Sequence, residues 1–314
     1  MKYEDFQDKK RLNDKVIVPA LDRVGYNKIA QKILNCSNRR IMALCKKCGT
    51  FHFNGSISCH NRFCAVCQKK RSLLWFMRMF PIFKFYLESN TKLVFVTFTI
   101  KNTETLEEGL NTLQDGWRYM TKDAKKIANA FKALFRGGVR SIEVKRGKNS
   151  GLWHPHMHCI FVMRGNHPFK KLEHWLRSFW NTCLCTIHKK VEKLGSVKLD
   201  KINVLNDGIQ AICETFKYST KFDWEHDDKD IVELVETLKG RRMITPFGCI
   251  KGLINEDSIE HDLLLPFTEL KKQFCVVCGN DTFDAVYYDK CDRIPEYNIM
   301  DFDDEVEECE IMND

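Results

Sequence analysis

Three histidines at spacing two, His154, His156 and His158, stand in the stretch Trp153-His154-Pro155-His156-Met157-His158-Cys159-Ile160-Phe161-Val162. The isoleucine, phenylalanine and valine that follow read as a strand entering a core. Alternate residues of a strand share a face, so the three rings stand side by side. Imidazole is the commonest protein metal ligand at neutral pH. Two on one face, joined by a ligand from a neighbouring strand, can hold a divalent ion with positions open to substrate. Residues 139–145 (VRSIEVK) also alternate as a strand and carry Glu143. Glu143 is the expected third ligand beside His156 and His158, and the part of His154 is left open. The plain alternative for Glu143 is an outward carboxylate paired with Lys145 or Arg140.

A second group lies in ICETFKYSTK, where Glu214, Lys217, Tyr218 and Lys221 recur at spacings of three and four. On a helix they share one face. A tyrosine hydroxyl can attack phosphorus and form a covalent ester. Its free pKa is about 10, so nearby lysines or a metal ion would favour the phenolate. A carboxylate one turn away could take the proton from a second nucleophile such as water. Taken alone, the pattern is that of an exposed amphipathic helix with a half-buried tyrosine. The histidine strand upstream tips the reading towards catalysis.

Cysteines supply a third group. Cys45-x2-Cys48 and Cys64-x2-Cys67 are separated by fifteen residues, the spacing of a four-thiolate structural zinc site. Cys36, Cys59, His52 and His60 could substitute at one corner. Four protein ligands leave no open position, so such a site supports folding rather than chemistry. Arg62, Lys69, Lys70 and Arg71 surround the second turn and suit phosphate contact. Cys275-x2-Cys278 is half a site that could recruit Cys249 or Cys291, or else a turn with free thiols.

The elements that must position these groups follow from periodicity. Residues 69–88 read as a helix that Pro81 kinks or splits. Residues 92–100 (KLVFVTFTI) read as a strand, and 103–135 as one long or two shorter helices ended by Gly137-Gly138. Strands at 139–145 and in the histidine stretch follow, then a helix over 168–194 with Gly195 as its C-cap, a strand at 197–204 and a helix at 208–222. The order β-α-β-β-α-β predicts an α+β fold, a ferredoxin-like, four-stranded antiparallel sheet with helices on one side. The expected divisions are an N-terminal helical segment (1–44), a zinc-binding element and helix (45–90), a catalytic domain (91–225), an accessory region (226–295) and an acidic, disordered tail (296–314).

The 314 residues are 44% hydrophobic and contain no apolar run long enough to span a membrane. The charged start lacks the apolar core of a signal peptide, so a cytoplasmic protein is expected. Fifteen cysteines in a reducing compartment point to metal sites and buried thiols. The net charge of +8 is uneven: residues 296–314 hold nine acids and no Lys or Arg. The rest has 50 basic against 33 acidic residues, a net +17. A basic body suits a polyanionic partner.

Phe95-Val96-Thr97-Phe98-Thr99 with Asn102, then His154-Pro155-His156-Met157-His158, then Glu214-x2-Lys217-Tyr218-x2-Lys221 occur in this order. They resemble the three motifs of rolling-circle plasmid replication initiators of Gram-positive bacteria, members of the HUH endonuclease superfamily. The segment Cys59-His60-Asn61-Arg62-Phe63-Cys64-Ala65-Val66-Cys67-Gln68 is similar to that family too, with Ala65 where proline is frequent. The resemblance covers about residues 45–222. It implies a palm-like sheet and a site-specific nick in one strand at the plasmid double-strand origin. Tyr218 would be the nucleophile, leaving a 5′-phosphotyrosine and a 3′-hydroxyl primer. His156 and His158 would hold Mg2+ or Mn2+, and Glu214 would activate water for the closing cut. The implied partners are origin DNA in single-stranded or extruded form, a host helicase and a DNA polymerase. Other HUH enzymes, a single-strand transposase or a mobilisation relaxase, share the chemistry, although relaxases place their tyrosine before the histidines. A non-catalytic nucleic-acid-binding module would leave the histidine strand and Tyr218 unexplained.

Overall fold

The computed structural model describes residues 3–147, 150–189, 194–202, 211–212, 215–216, 227–254, 274–275, 277–288 and 299–300. The chain divides into two compact units. One comprises Met1–Leu74, Trp224–Ile231 and Glu256–Glu308, the other Trp75–Asp223, Val232–Asn255 and Cys309–Asp314. The architecture is mixed α+β with antiparallel sheets and a cysteine-rich region.

The first unit opens with helices α1 (Tyr3–Leu12), α2 (Val18–Arg23) and α3 (Asn27–Leu34), with a π-helical turn at Asn13–Ile17. Strands β1 (Arg40–Cys45) and β2 (Phe51–Ser56) follow, and α4 (Ala65–Glu88) begins here. Pro81 lies inside α4 without splitting it, contrary to one expectation. The sequence reading places no strand at 40–56, yet β1 and β2 form the middle of a four-stranded sheet. Two late strands complete it, β8 (Phe283–Tyr288) antiparallel to β1 and β9 (Ile299–Met300) parallel to β2.

The second unit is built on β3 (Leu93–Ile100), α5 (Leu106–Arg118), α6 (Lys125–Leu134), β4 (Phe135–Arg146), β5 (Trp153–Met163), α7 (Phe169–His188), β6 (Gly195–Ile202), the part of α8 (Asp228–Leu238) from Val232 onward, and β7 (Ile244–Gly248). Its sheet runs β6-β3-β5-β4-β7, with every neighbouring pair antiparallel. The expected four strands are joined by a fifth, because β7 adds to the outer edge of β4. The histidine strand β5 is central, and all its residues except His154 are buried.

Aromatic side chains fix which face carries the helices. Phe98 of β3 packs against Trp117 of α5 and Trp180 of α7, with ring centroids 6.4 and 5.0 Å away. Phe161 of β5 meets Trp117, Phe131 of α6 and Phe135. His154, His156 and His158 have the opposite parity to Phe161 and occupy the other face. The start of β5 is tied to the start of α5 by Glu233 of α8. Its carboxylate accepts from the Leu106 backbone N–H at 2.6 Å and from the Trp153 indole at 2.8 Å.

Two boundaries differ from expectation. β4 begins at Phe135, before the glycine pair rather than after it. A Cβ at Gly138 would stand 2.0 Å from the Ile160 carbonyl oxygen of β5, so the missing side chain serves close strand pairing, not a helix stop. Helix α7 ends at Lys189 in the left-handed region (φ 52°), while Gly195 opens β6. Of the segment 208–222, the described residues Ala211, Ile212, Thr215 and Phe216 are helical and buried, and Phe216 stacks on Trp75 at 5.6 Å.

Candidate metal centres

Register alone brings the first group together. β4 and β5 pair so that Glu143 is opposite His156 and Ser141 opposite His158, while β3 sets Thr97 opposite His158 and Thr99 opposite His156. Directly opposed residues share a face. Nε2 of His156 and Nε2 of His158 lie 2.9 and 3.0 Å from Glu143 Oε2. All three residues are buried, at 2% exposure for Glu143, 5% for His156 and 6% for His158. Glu143 Oε1 pairs with the half-exposed Lys145, whose Nζ is 3.2 Å away. Glu143 thus faces the histidines and Lys145 at once, one oxygen for each. His154 stands outside the trio: its Nδ1–H donates to Asn102 Oδ1 at 2.6 Å, and its ring is 5.4 Å from that of His156.

The outer ring nitrogens bear on what the inner ones can do. His156 Nδ1 is 3.4 Å from the His154 carbonyl, which can only accept, and His158 Nδ1 is 3.1 Å from the Thr97 hydroxyl. With Nδ1 engaged in this way, Nε2 is the nitrogen that each ring turns to Glu143, where it donates to the carboxylate or, once deprotonated, can bind a cation. Phe95 stacks on His158 at 5.4 Å and fixes its plane. Burial opposes ionisation of Glu143. Hydrogen bonds from His156 and His158, with the charges of His156 and Lys145, nevertheless hold its carboxyl far below the usual carboxylate range. Burial lowers the pKa of His154, and the charges of His156 and Lys145 lower it further against the pull of Glu143.

The trio fits a hard divalent cation. Its donors are two imidazole nitrogens and a carboxylate oxygen, all within 4.8 Å of one another. Adjacent ligands of an octahedral ion with bonds of about 2.1 Å lie about 3.0 Å apart. The observed separations match that spacing as well as they match hydrogen bonds.

The cysteines correct the expected zinc set. Cys45, Cys48, Cys64 and Cys67 do not share one site. Cys64 and Cys67 meet Cys36 and Cys59, whereas Cys45 and Cys48 meet Cys275 and Cys278. The reason is strand pairing: β8 lies antiparallel to β1 with Cys45 opposite Phe283, which delivers the late cysteine turn to the early one. Neither Cys249 nor His60 belongs to a cluster among the described residues, and Cys291 lies outside them. In the first cluster the Sγ atoms of Cys36 and Cys59 are each 3.7 Å from that of Cys67. Four sulfurs about 2.3 Å from a tetrahedral zinc ion lie about 3.8 Å apart. Asn13, fully buried, donates to Cys64 Sγ at 3.2 Å and accepts the Ala65 N–H at 2.8 Å. Hydrogen bonds from Cys59, Cys64 and Cys67 draw the Cys36 thiol far below its ordinary pKa. The cluster suits a structural zinc ion.

Two of the expected phosphate contacts are not available. Lys69 and Lys70 are buried at 7% and 3% exposure, and Lys69 Nζ is 3.1 Å from Asp5 Oδ2. A helix start packed into a core turned these lysines inward. Arg62 and Arg71 are half-buried. Glu214, Lys217, Tyr218 and Lys221 lie outside the described residues. Thr97 carried no role in the sequence reading; strand alternation opposite the histidines is the signal that could have found it.

Residues 50–273 match a family described as replication protein, Rep_1, and residues 8–87 match a transposase zinc-binding domain. A Protein rep of Lactiplantibacillus plantarum is 26% identical over 218 residues, covering 64% of this chain and 67% of its own. A Protein rep of Streptococcus pneumoniae serotype 2 is 22% identical over 73% of this chain and 72% of its own, and one from a Bacillus species 22% over 74% and 81%. No solved structure matches. The Rep_1 match spans β2 to β7 and with them the buried trio, and on that extent the chain belongs to the Rep_1 family of replication proteins.

Proposed function

We propose that this chain initiates rolling-circle replication of a plasmid by nicking one strand of its double-strand origin. The observation that carries the reading is the convergence of Glu143, His156 and His158 on the sheet face away from α5–α7, inside the stretch matched by the replication-protein family. When bound by these three residues, Mg2+ or Mn2+ would offset the negative charge of the scissile phosphate. His154, hydrogen-bonded to Asn102, is a neighbour of that ion rather than a ligand.

Tyr218 is the proposed nucleophile. Its oxygen attacks phosphorus, its proton passes to a base, and the bond to the 3′-oxygen breaks. The 5′-phosphate stays on the tyrosine, and the 3′-oxygen gains a proton and becomes the primer hydroxyl. Lys217 and Lys221 favour the phenolate by charge. Glu214, one turn earlier, accepts the proton of the water that ends the round. Motif order in the sequence supports these roles. Arg62, Arg71 and Lys217 are the proposed backbone contacts. A host helicase and a DNA polymerase would use the nicked product.

The transposase zinc-binding domain match favours one rival, single-strand transposition by the same chemistry. Incubation with labelled single-stranded DNA bearing the plasmid's origin and Mn2+ separates the readings. The expected result is one covalent adduct at one position, lost in Tyr218→Phe with DNA binding retained. An adduct that persists in this variant moves the nucleophile elsewhere, and a gel shift without an adduct leaves only a binding module. Joining of two foreign ends in preference to origin cleavage would favour the transposase.

A further inference from the structure

We propose that Cys45, Cys48, Cys275 and Cys278 hold a second structural zinc ion, separate from that of the Cys36 cluster. The late pair lies beyond both matched stretches, which end at residues 87 and 273. The inference does not depend on the nuclease reading.

The two halves of the site are the same local structure built twice. In Cys45-Lys46-Lys47-Cys48-Gly49-Thr50 the Gly49 N–H donates to the Cys45 carbonyl at 2.9 Å and the Cys45 N–H to the Thr50 carbonyl at 2.9 Å. In the late turn the Gly279 N–H donates to the Cys275 carbonyl and the Cys275 N–H to the Asn280 carbonyl, both at 2.8 Å. Gly49 and Gly279 both sit in the left-handed region, with φ of 72° and 67°. Each turn holds its two sulfurs on one side, as a zinc-binding Cys-x2-Cys turn must.

The halves face one another. Cys45 Sγ is 3.6 Å from Cys278 Sγ, and Cys48 Sγ is 3.5 Å from Cys275 Sγ. These lie far above the roughly 2.05 Å of a disulfide and near the edge of about 3.8 Å in a four-sulfur zinc tetrahedron. Groups around the sulfurs supply hydrogen-bond donors suited to thiolates. His52, fully buried, has Nε2 3.3 Å from Cys275 Sγ, the Thr50 hydroxyl is 3.1 Å from Cys48 Sγ, and Asn280 Nδ2 donates to Cys45 Sγ at 3.5 Å. Four thiolates fill the tetrahedron, so the ion would clamp the β8 end of the chain to β1 and bind no substrate.

Metal analysis of the full-length protein after gel filtration tests this, with native mass spectrometry of the same sample. The expected result is two zinc ions per chain, falling to one in Cys275→Ser/Cys278→Ser and to one in Cys59→Ser/Cys67→Ser. X-ray absorption at the zinc edge of the unaltered protein, which needs no variant to fold, should show sulfur-only coordination at about 2.3 Å. One zinc per chain in the unaltered protein overturns the proposal. So does a disulfide between the turns, or iron in place of the second zinc.

Discussion

At His158 the useful nitrogen is set by a hydroxyl on another strand. Thr97 Oγ1 stands 3.1 Å from Nδ1, and a proton held there keeps Nε2 free to bind a cation. Thr97→Val keeps the shape and removes the hydroxyl. Outer-shell changes of this kind weaken metal binding by about 10- to 100-fold. Calorimetric titration with Mn2+ should show that loss while circular dichroism stays unchanged; an unaltered affinity would end the role assigned to Thr97. Glu143→Gln makes a harsher demand. The amide fills the same space but cannot balance a dication, so adduct formation on origin DNA should vanish with DNA binding intact. The place of Glu143 beside His156 and His158 was legible beforehand because spacing-two alternation says which residues share a face and a hairpin says which strands adjoin. Lys69 and Lys70 were misread because a charge count does not show which side of a helix start turns inward.

The strand pair β4–β5 is the element on which the trio depends, and Gly138 is where the two backbones come closest. A methyl group there meets the Ile160 carbonyl at 2.0 Å, and backbone cannot swing aside as a side chain can. Gly138→Ala should therefore cost about 1–3 kcal/mol, the range for overpacking, read as a lower urea midpoint. It should also weaken Mn2+ binding, because spreading the strands carries Glu143 away from His156 and His158. A destabilised protein with normal Mn2+ affinity would show that the trio tolerates strand separation. The four core strands and their order along the chain were readable from apolar periodicity. The partners of Cys45 and Cys48 were not. Cys275 is 227 residues from Cys48, and only the pairing of β1 with β8 makes them neighbours. The same blindness to distant pairing hid β7, β8 and β9.

Over the whole molecule, charge is the property that the sequence states outright. Fifty basic residues against forty-two acids conceal a basic body, because residues 303–314 alone carry seven acids and no Lys or Arg. Removing these residues should tighten non-specific binding to duplex DNA at low salt, measured by fluorescence anisotropy. The gain should shrink as salt rises, since screening shortens the reach of charge to about 3 Å at 1 M. Equal affinities at low salt would deny the acidic residues any part in competing with DNA. No helix among the described residues is long and apolar enough to cross a membrane. One consequence follows from β1 lying between β2 and β8. While the ribosome is still making the chain, β1 has only its early neighbour, and its other edge carries unsatisfied backbone groups until residues 283–288 emerge. Exposed edges of this kind recruit strands from other chains. A product of premature termination would thus be left sticky as well as incomplete, and the cell would meet it as an aggregate.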